Sequence, residues 1–319
     1  MNKTVLTLYS SPPENQPKDS MTTLGIKQNF LGIEASSSDL DKALIAIVPV
    51  PYEHTVSYGG GTKNGPRAIL QASKYVEFYD DETNRELCFD VGIATLKPVE
   101  FKGAVDRKAL TLINRRVAAL LDRGKFVVTL GGEHTISSAC ISAFHRRYPE
   151  MSVLQFDAHG DLRQEYEGSP FSHASVMARV CDFMSPKKLT QVGIRAICKE
   201  EASFIRTQKV NTFTTSAIRR GLHGEDWAKK VVRTLADDVY ISFDVDGLDP
   251  SVMPSTGTPE PGGLFYHEAL SVIREVVASG RTIVGFDVVE LAPVKGVHHA
   301  DLTAARLVYK ILNLAFGAR

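Results

Sequence analysis

From Ala43 onward, short apolar runs alternate with segments of helical periodicity, and no other feature of this chain restricts its fold as strongly. That alternation is the pattern of a mostly parallel sheet covered by helices, because each parallel crossover needs a helix to carry the chain back. The expected strands are 44–50, 126–130, 152–156, 189–192, 211–214, 239–243 and 282–286; the expected helices are 106–123, 136–147, 224–235, 267–278 and 301–314. Residues 1–40 have weak periodicity, two serine clusters and Pro12, Pro13 and Pro17, and read as an irregular N-terminal arm packed on the body or on a neighbouring subunit. Residues 41–319 then form a single α/β domain, with no repeat or linker inside it.

The loops at the strand ends are more informative than the strands themselves. GGEH comes after the second strand, DAHGD after the third, DVDGLD after the sixth and DVVE after the seventh, so four strands deliver polar groups at their carboxyl ends. Ligands of open α/β sheets bind outside those ends, where neighbouring loops diverge. A single Asp or His in a loop is as often a turn former as a functional group. Four such loops on one edge are not read that way.

In FDAHGDLR the side chains of Asp157, His159 and Asp161 fall at every second position, which in extended backbone places them on one side. Asp244 and Asp246 repeat that period. Carboxylates this close repel one another and raise each other's pKa unless cations hold them, and two divalent metals are the economical solution. A set of oxygen and imidazole donors without thiolate suits manganese better than structural zinc, with nickel, cobalt and iron left open. Paired metals lower the pKa of a shared water, so the chemistry expected is hydrolysis.

GGEHT at 131–135, FDAHGD at 156–161, SHAS at 172–175, SFDVDGLDPSVMPSTGTPEPGG at 242–263 and GFDVVELAP at 285–293 together resemble the ureohydrolases of the agmatinase and arginase family. The motifs run in the family's order over residues about 40 to 315, a highly specific set. Glu133 and Thr135 stand where the family often has Asp and Ser, and Gly160 where Thr or Ala is common. The resemblance implies a three-layer α/β/α fold around a mostly parallel sheet and a pair of Mn2+ ions per subunit. One metal would be held by His134, Asp157, Asp161 and Asp244, the other by Asp157, His159, Asp244 and Asp246, with Asp157 and Asp244 bridging. It also implies that water activated there attacks a guanidinium carbon, releasing urea and a primary amine. Asp161 would handle the water's proton, His173 would shuttle protons and Glu290 would orient the guanidinium. Asp287 is expected to support the site through hydrogen bonds rather than as a ligand, and Asp249 before Pro250 to fix a turn. A trimer or hexamer of identical subunits is expected by resemblance alone.

The substrate tail is read from LRQEYEGSPF, residues 162–171. Arginases take an α-carboxylate with an Asn- and Ser-rich loop at this place; the segment has no such asparagine, and it carries Glu165 and Glu167, which suit a cationic, carboxylate-free tail. Agmatine, giving putrescine and urea as in polyamine biosynthesis, fits; aminopropylagmatine or another guanidino compound is the alternative. Arg163 and Glu165 are the candidate tail contacts, and Arg163 is expected to pair with an acid, since free in the pocket it would favour an acidic substrate.

Other classes fare less well. Thirty-seven basic residues balance thirty-seven acidic ones, so neither nucleic acid nor a membrane surface is an expected partner. Cys88, Cys140, Cys181 and Cys198 form no CxxC pair and read as free thiols of a reducing compartment. No secretory signal or membrane span is visible, so a cytoplasmic location is expected. SYGGGTKNGP at 57–66 could cradle a phosphate but lacks the GK[ST] ending, and reads instead as a rim loop, with His54 and Tyr58 near the pocket entrance. A one-zinc deacetylase would not need Asp161 and Asp246, and a non-catalytic regulatory relative would not need every ligand together with His173 and Glu290.

Overall fold

The computed structural model describes residues 21–317. Eight strands, all parallel, form one sheet: β1 (Ile45–Val50), β2 (Ile93–Thr95), β3 (Phe126–Gly131), β4 (Ser152–Phe156), β5 (Leu189–Ile194), β6 (Asn211–Thr214), β7 (Asp238–Asp244) and β8 (Thr282–Val289). The order across the sheet is β2-β1-β3-β8-β7-β4-β5-β6. The helices of eight residues or more are α1 (Gly65–Ala72), α2 (Asp106–Asp122), α3 (Ile136–Arg147), α4 (Lys199–Gln208), α5 (Tyr266–Ala278) and α6 (His298–Gly317).

Period-two side chains divide the strands between two cores. Ile45, Ile47, Leu154 and Phe156 face the core covered by α1, α5 and α6, whereas Ala46, Val48, Val50 and Val153 face the one covered by α2 and α3. Strands buried on both sides must be apolar throughout, as β1 is, and three layers result. This is the expected α/β/α architecture.

The differences from the expected elements have local causes. β2 is only three residues long, too short to show a pattern. Helix α1 opens on Gly-Pro, with Pro66 in the first turn where its missing N–H costs nothing. Helix α4 has a single fully buried position, Glu201, and so lacks an apolar stripe. β8 continues past Phe286 because Asp287, a residue that reads as a strand end, is buried within it.

Of the expected N-terminal arm, residues 1–20 lie outside the described residues. Residues 21–40 contain short helical turns, and Phe30, Leu31 and Ile33 are buried in the core of the body. Among the described residues no helix is long and apolar enough to cross a membrane. The four cysteines are free, Cys88 and Cys140 buried and the other two half-buried.

Candidate metal centre

The loops singled out in the sequence leave β3, β4, β7 and β8, which the sheet order makes four consecutive central strands. Phe156 of β4 pairs with Phe243 of β7, their rings stacked with centroids 4.8 Å apart, and the next residues are Asp157 and Asp244. The turn after β3 runs so close beneath the 52 carbonyl that a Cβ at Gly132 would lie 1.8 Å from Tyr52 O, which explains glycine there. That turn delivers His134.

Two overlapping groups of potential ligand atoms result, His134 with Asp157 and Asp244, and Asp157 with His159 and Asp246. His134 Nδ1 lies 3.1 Å from Asp157, 3.0 Å from Asp161 and 3.3 Å from Asp244, while His159 Nδ1 lies 2.9 Å from Asp246 Oδ2. Asp157 is common to both groups. Asp244 belongs to the first group only, and Asp161 approaches it through His134. Backbone amides aim the carboxylates: His159 N donates to Asp157 Oδ1, Asp246 N to Asp244 Oδ1 and Ala158 N to Asp246 Oδ1. Gln155 Nε2 donates to Asp157 Oδ2 at 2.7 Å and is itself held by Gln191.

These residues fit a pair of divalent cations. Ser242 Oγ donates to Asp287 Oδ1 at 2.9 Å, so it can only accept from His134 Nε2, also 2.9 Å away. His134 Nδ1 is left buried with no hydrogen-bond partner, facing three carboxylates. One ring nitrogen carries at most one hydrogen and cannot serve three acids; a cation can bind all four groups. The electrostatics agree. Burial and the neighbouring Asp157 push Asp161 up to about 7, burial with Asp246 and Asp157 pushes Asp244 up, and the surrounding acids raise His134 against the effect of burial. The place draws in positive charge, whether proton or metal. Asp287, also bound by Tyr240 Oη at 2.7 Å, supports the centre through hydrogen bonds as expected.

Asp161 and Glu290 both have left-handed backbone, φ 54° and 65°, a costly conformation for residues with a Cβ and one that gathers at functional sites. Glu290 is buried, and its Oε1 accepts from His134 N at 2.5 Å. Burial and nearby Glu133 raise its carboxyl well above the usual range. His173 is half-buried, and burial together with the charge of His159 lowers it to about 4, so it is neutral.

Arg163 faces an acid, as expected, but one far along the chain, together with the Tyr166 ring. Its Nε is 3.9 Å from Glu201 Oε2 and its guanidinium lies 4.9 Å from the Tyr166 ring centroid, while Glu165 is exposed. Tyr166 meets His173 edge-on at 6.0 Å. Glu201, buried in α4, also accepts from Leu162 N and Cys198 N. Its spacing from Arg163 along the chain carries no signal. The rim loop is filled from within: Glu53 accepts from Gly61 N at 2.7 Å and Lys63 N at 3.2 Å, taking amides that a phosphate would need. Gly59 N bonds Gly257 O, closing that loop against the β7 motif, and Tyr58 stays exposed.

A parallel α/β/α sheet with two overlapping sets of carboxylate and imidazole donors at its carboxyl edge defines the class of binuclear-metal hydrolases. Residues 43–313 match the model of the Arginase family. The chain belongs to the arginase family and is an enzyme of the ureohydrolase type. It is 38% identical to an N(1)-aminopropylagmatine ureohydrolase of Synechocystis sp., covering 91% of this chain and 94% of that one. It is 34% identical to an agmatinase of Bacillus anthracis, covering 87% and 93%. The crystal structure of the agmatine ureohydrolase of Thermoplasma volcanium superposes with a TM-score of 0.80 at 28% identity, covering 89% of this chain and 94% of that one.

Proposed function

We propose that this chain hydrolyses a guanidino compound with a cationic, carboxylate-free tail, agmatine first, to urea and an amine. The observation that carries the choice is the engagement of Arg163 by Glu201 and Tyr166, which takes up the one guanidinium of the 162–171 segment that would otherwise repel a positive tail. N1-aminopropylagmatine is the second reading, favoured by the 38% identity to an enzyme named for it. The metals are proposed to be Mn2+, held by His134, Asp157, His159, Asp161, Asp244 and Asp246, because the donors are oxygen and imidazole without thiolate.

Divalent cations bound there lower the pKa of water and so supply hydroxide at neutral pH. Glu290, fixed through His134 N, orients the guanidinium by charge-assisted hydrogen bonds. Asp161 has Oδ2 turned to His134, and its other oxygen takes the proton of the attacking water and returns it to the leaving nitrogen. His173, neutral and reached from the rim, carries a proton between the product amine and solvent. Residues 41–319 act as the catalytic domain, and the enzyme works in the cytoplasm as a trimer or hexamer.

Urea release from agmatine, aminopropylagmatine, arginine, guanidinobutyrate and guanidine, measured with manganese-loaded protein, tests this reading. Fast turnover of an amine-tailed substrate is expected. No turnover of either amine beside rapid turnover of another compound would sink it.

A further inference from the structure

We propose that Thr55 is a positioning residue for His173: anchored by Glu133, its hydroxyl oxygen takes the Nδ1 hydrogen of the imidazole and leaves Nε2 bare to accept protons. The inference deepens the proposed function and rests on the reading of His173 as the proton shuttle. Glu133, fully buried beside His134, accepts from three donors of one segment: Oε2 from His54 N at 2.9 Å and Thr55 N at 2.7 Å, Oε1 from Thr55 Oγ1 at 3.0 Å. The Thr55 hydroxyl gives its single hydrogen to Glu133 Oε1. Thr55 Oγ1 therefore only accepts toward His173, from the backbone N at 3.1 Å and from ring Nδ1 at 3.3 Å.

A neutral imidazole has one hydrogen, and which nitrogen carries it is decided by what faces the other. Ser172 Oγ is the other group near Nδ1, but at 3.5 Å it stands at the limit of a hydrogen bond and farther away than Thr55 Oγ1 at 3.3 Å. Tyr166 closes on the ring edge-on, so the imidazole is held both by bonding and by packing. A shuttle locked as the Nδ1–H tautomer needs no tautomer change before it takes a proton at Nε2. The same carboxylate thus ties the metal-bearing turn to the shuttle across 78 positions of sequence, from Thr55 to Glu133.

The test uses Thr55→Val, which keeps the shape and loses the hydroxyl, beside Thr55→Ser, which keeps the hydroxyl. Both are assayed on the guanidino compound turned over fastest, in wild type and in His173→Asn. We expect Thr55→Val to lower kcat at least about tenfold, a part of the roughly 10²- to 10⁴-fold that a general acid–base group contributes, with KM nearly unchanged. Thr55→Ser should stay close to wild type, and Thr55→Val should add nothing in the His173→Asn background. Ring 15N shifts of histidine-labelled full-length protein, loaded with a diamagnetic divalent ion, should show a protonated Nδ1 and a bare Nε2 at His173, and both tautomers in Thr55→Val. A bare Nδ1 in wild type, or equal slowing by Thr55→Val with and without His173, overturns the proposal. Unchanged kcat in His173→Asn would remove the shuttle reading itself, while the ring shifts would still decide whether Thr55 sets the tautomer.

Discussion

Ser242 Oγ stands 2.9 Å from His134 Nε2 and gives its own hydrogen to Asp287 Oδ1, so a serine in the middle of the sheet decides which nitrogen of His134 faces the carboxylates. Without that acceptor the ring can turn over or place its hydrogen on Nδ1, where it blocks a metal. Ser242→Ala is therefore expected to weaken divalent-ion binding about 10- to 100-fold, the usual effect of losing a hydrogen-bonding partner of a metal-binding histidine. Metal content after dialysis at graded free manganese reads this directly, and an unchanged binding curve would contradict it.

Asp161→Asn keeps the shape but removes a charge pushed up to about 7 by burial and Asp157. Urea release should fall at least about 100-fold, as expected for loss of a general base. The metal-free protein should melt no lower than wild type, because one of several mutually repelling carboxylates has gone. Retained activity would mean that another group handles the water's proton.

Arg163 should matter little to a cationic substrate. Its guanidinium is partly exposed and engaged loosely by Glu201, at 3.9 Å, and by Tyr166, and a partly solvated pair of this kind contributes about 0.2–1 kcal/mol. The KM of Arg163→Gln for agmatine should move by less than about threefold, within that energy range. A large fall for agmatine together with a large rise for guanidinobutyrate would show that the guanidinium faces the tail.

Far from the centre, Lys310 of α6 bonds Asp80 at 2.6 Å and Glu82 at 2.8 Å, and Arg274 of α5 grips Glu82 with two bonds of 2.7 Å. Arg274, then Lys310, hold Glu82 down at about 2 against burial; burial also pushes Asp80 up, but Lys310 and Thr83 outweigh it. Acids with depressed pKa values contribute stability above their unfolded pKa, about 4, and lose it as pH falls toward 2. Denaturation midpoints should therefore drop steeply over that interval. Lys310→Met, which leaves Asp80 buried without its cation, should cost about 3–5 kcal/mol at neutral pH and flatten the acid dependence. Parallel pH profiles of the two proteins would count against this.

Some of the structure was legible because its signal is local. The period-two spacing of Asp157, His159 and Asp161 fixes a shared side whatever the rest of the chain does, and β4, β6 and α3 begin and end where their apolar patterns do. Glu290 and His173 were visible as motif positions. Thr55, Glu201 and Tyr166 were not: Thr55 is an ordinary loop residue until Glu133, 78 positions away, takes its hydroxyl. Asp287 read as a strand end because charge inside a strand is rare, and it is tolerated here only with Tyr240 and Ser242 as donors.

The sequence by itself determined the donor types, their spacing along each loop and the parallel α/β class, since side-chain direction alternates in extended backbone and parallel strands need covering helices. Only the tertiary structure decided that β3, β8, β7 and β4 lie side by side, that Thr55 hands its hydroxyl hydrogen to Glu133, and that Arg163 turns to Glu201. Those outcomes depend on how both helical layers pack over the whole sheet at once, and no window of sequence contains that packing.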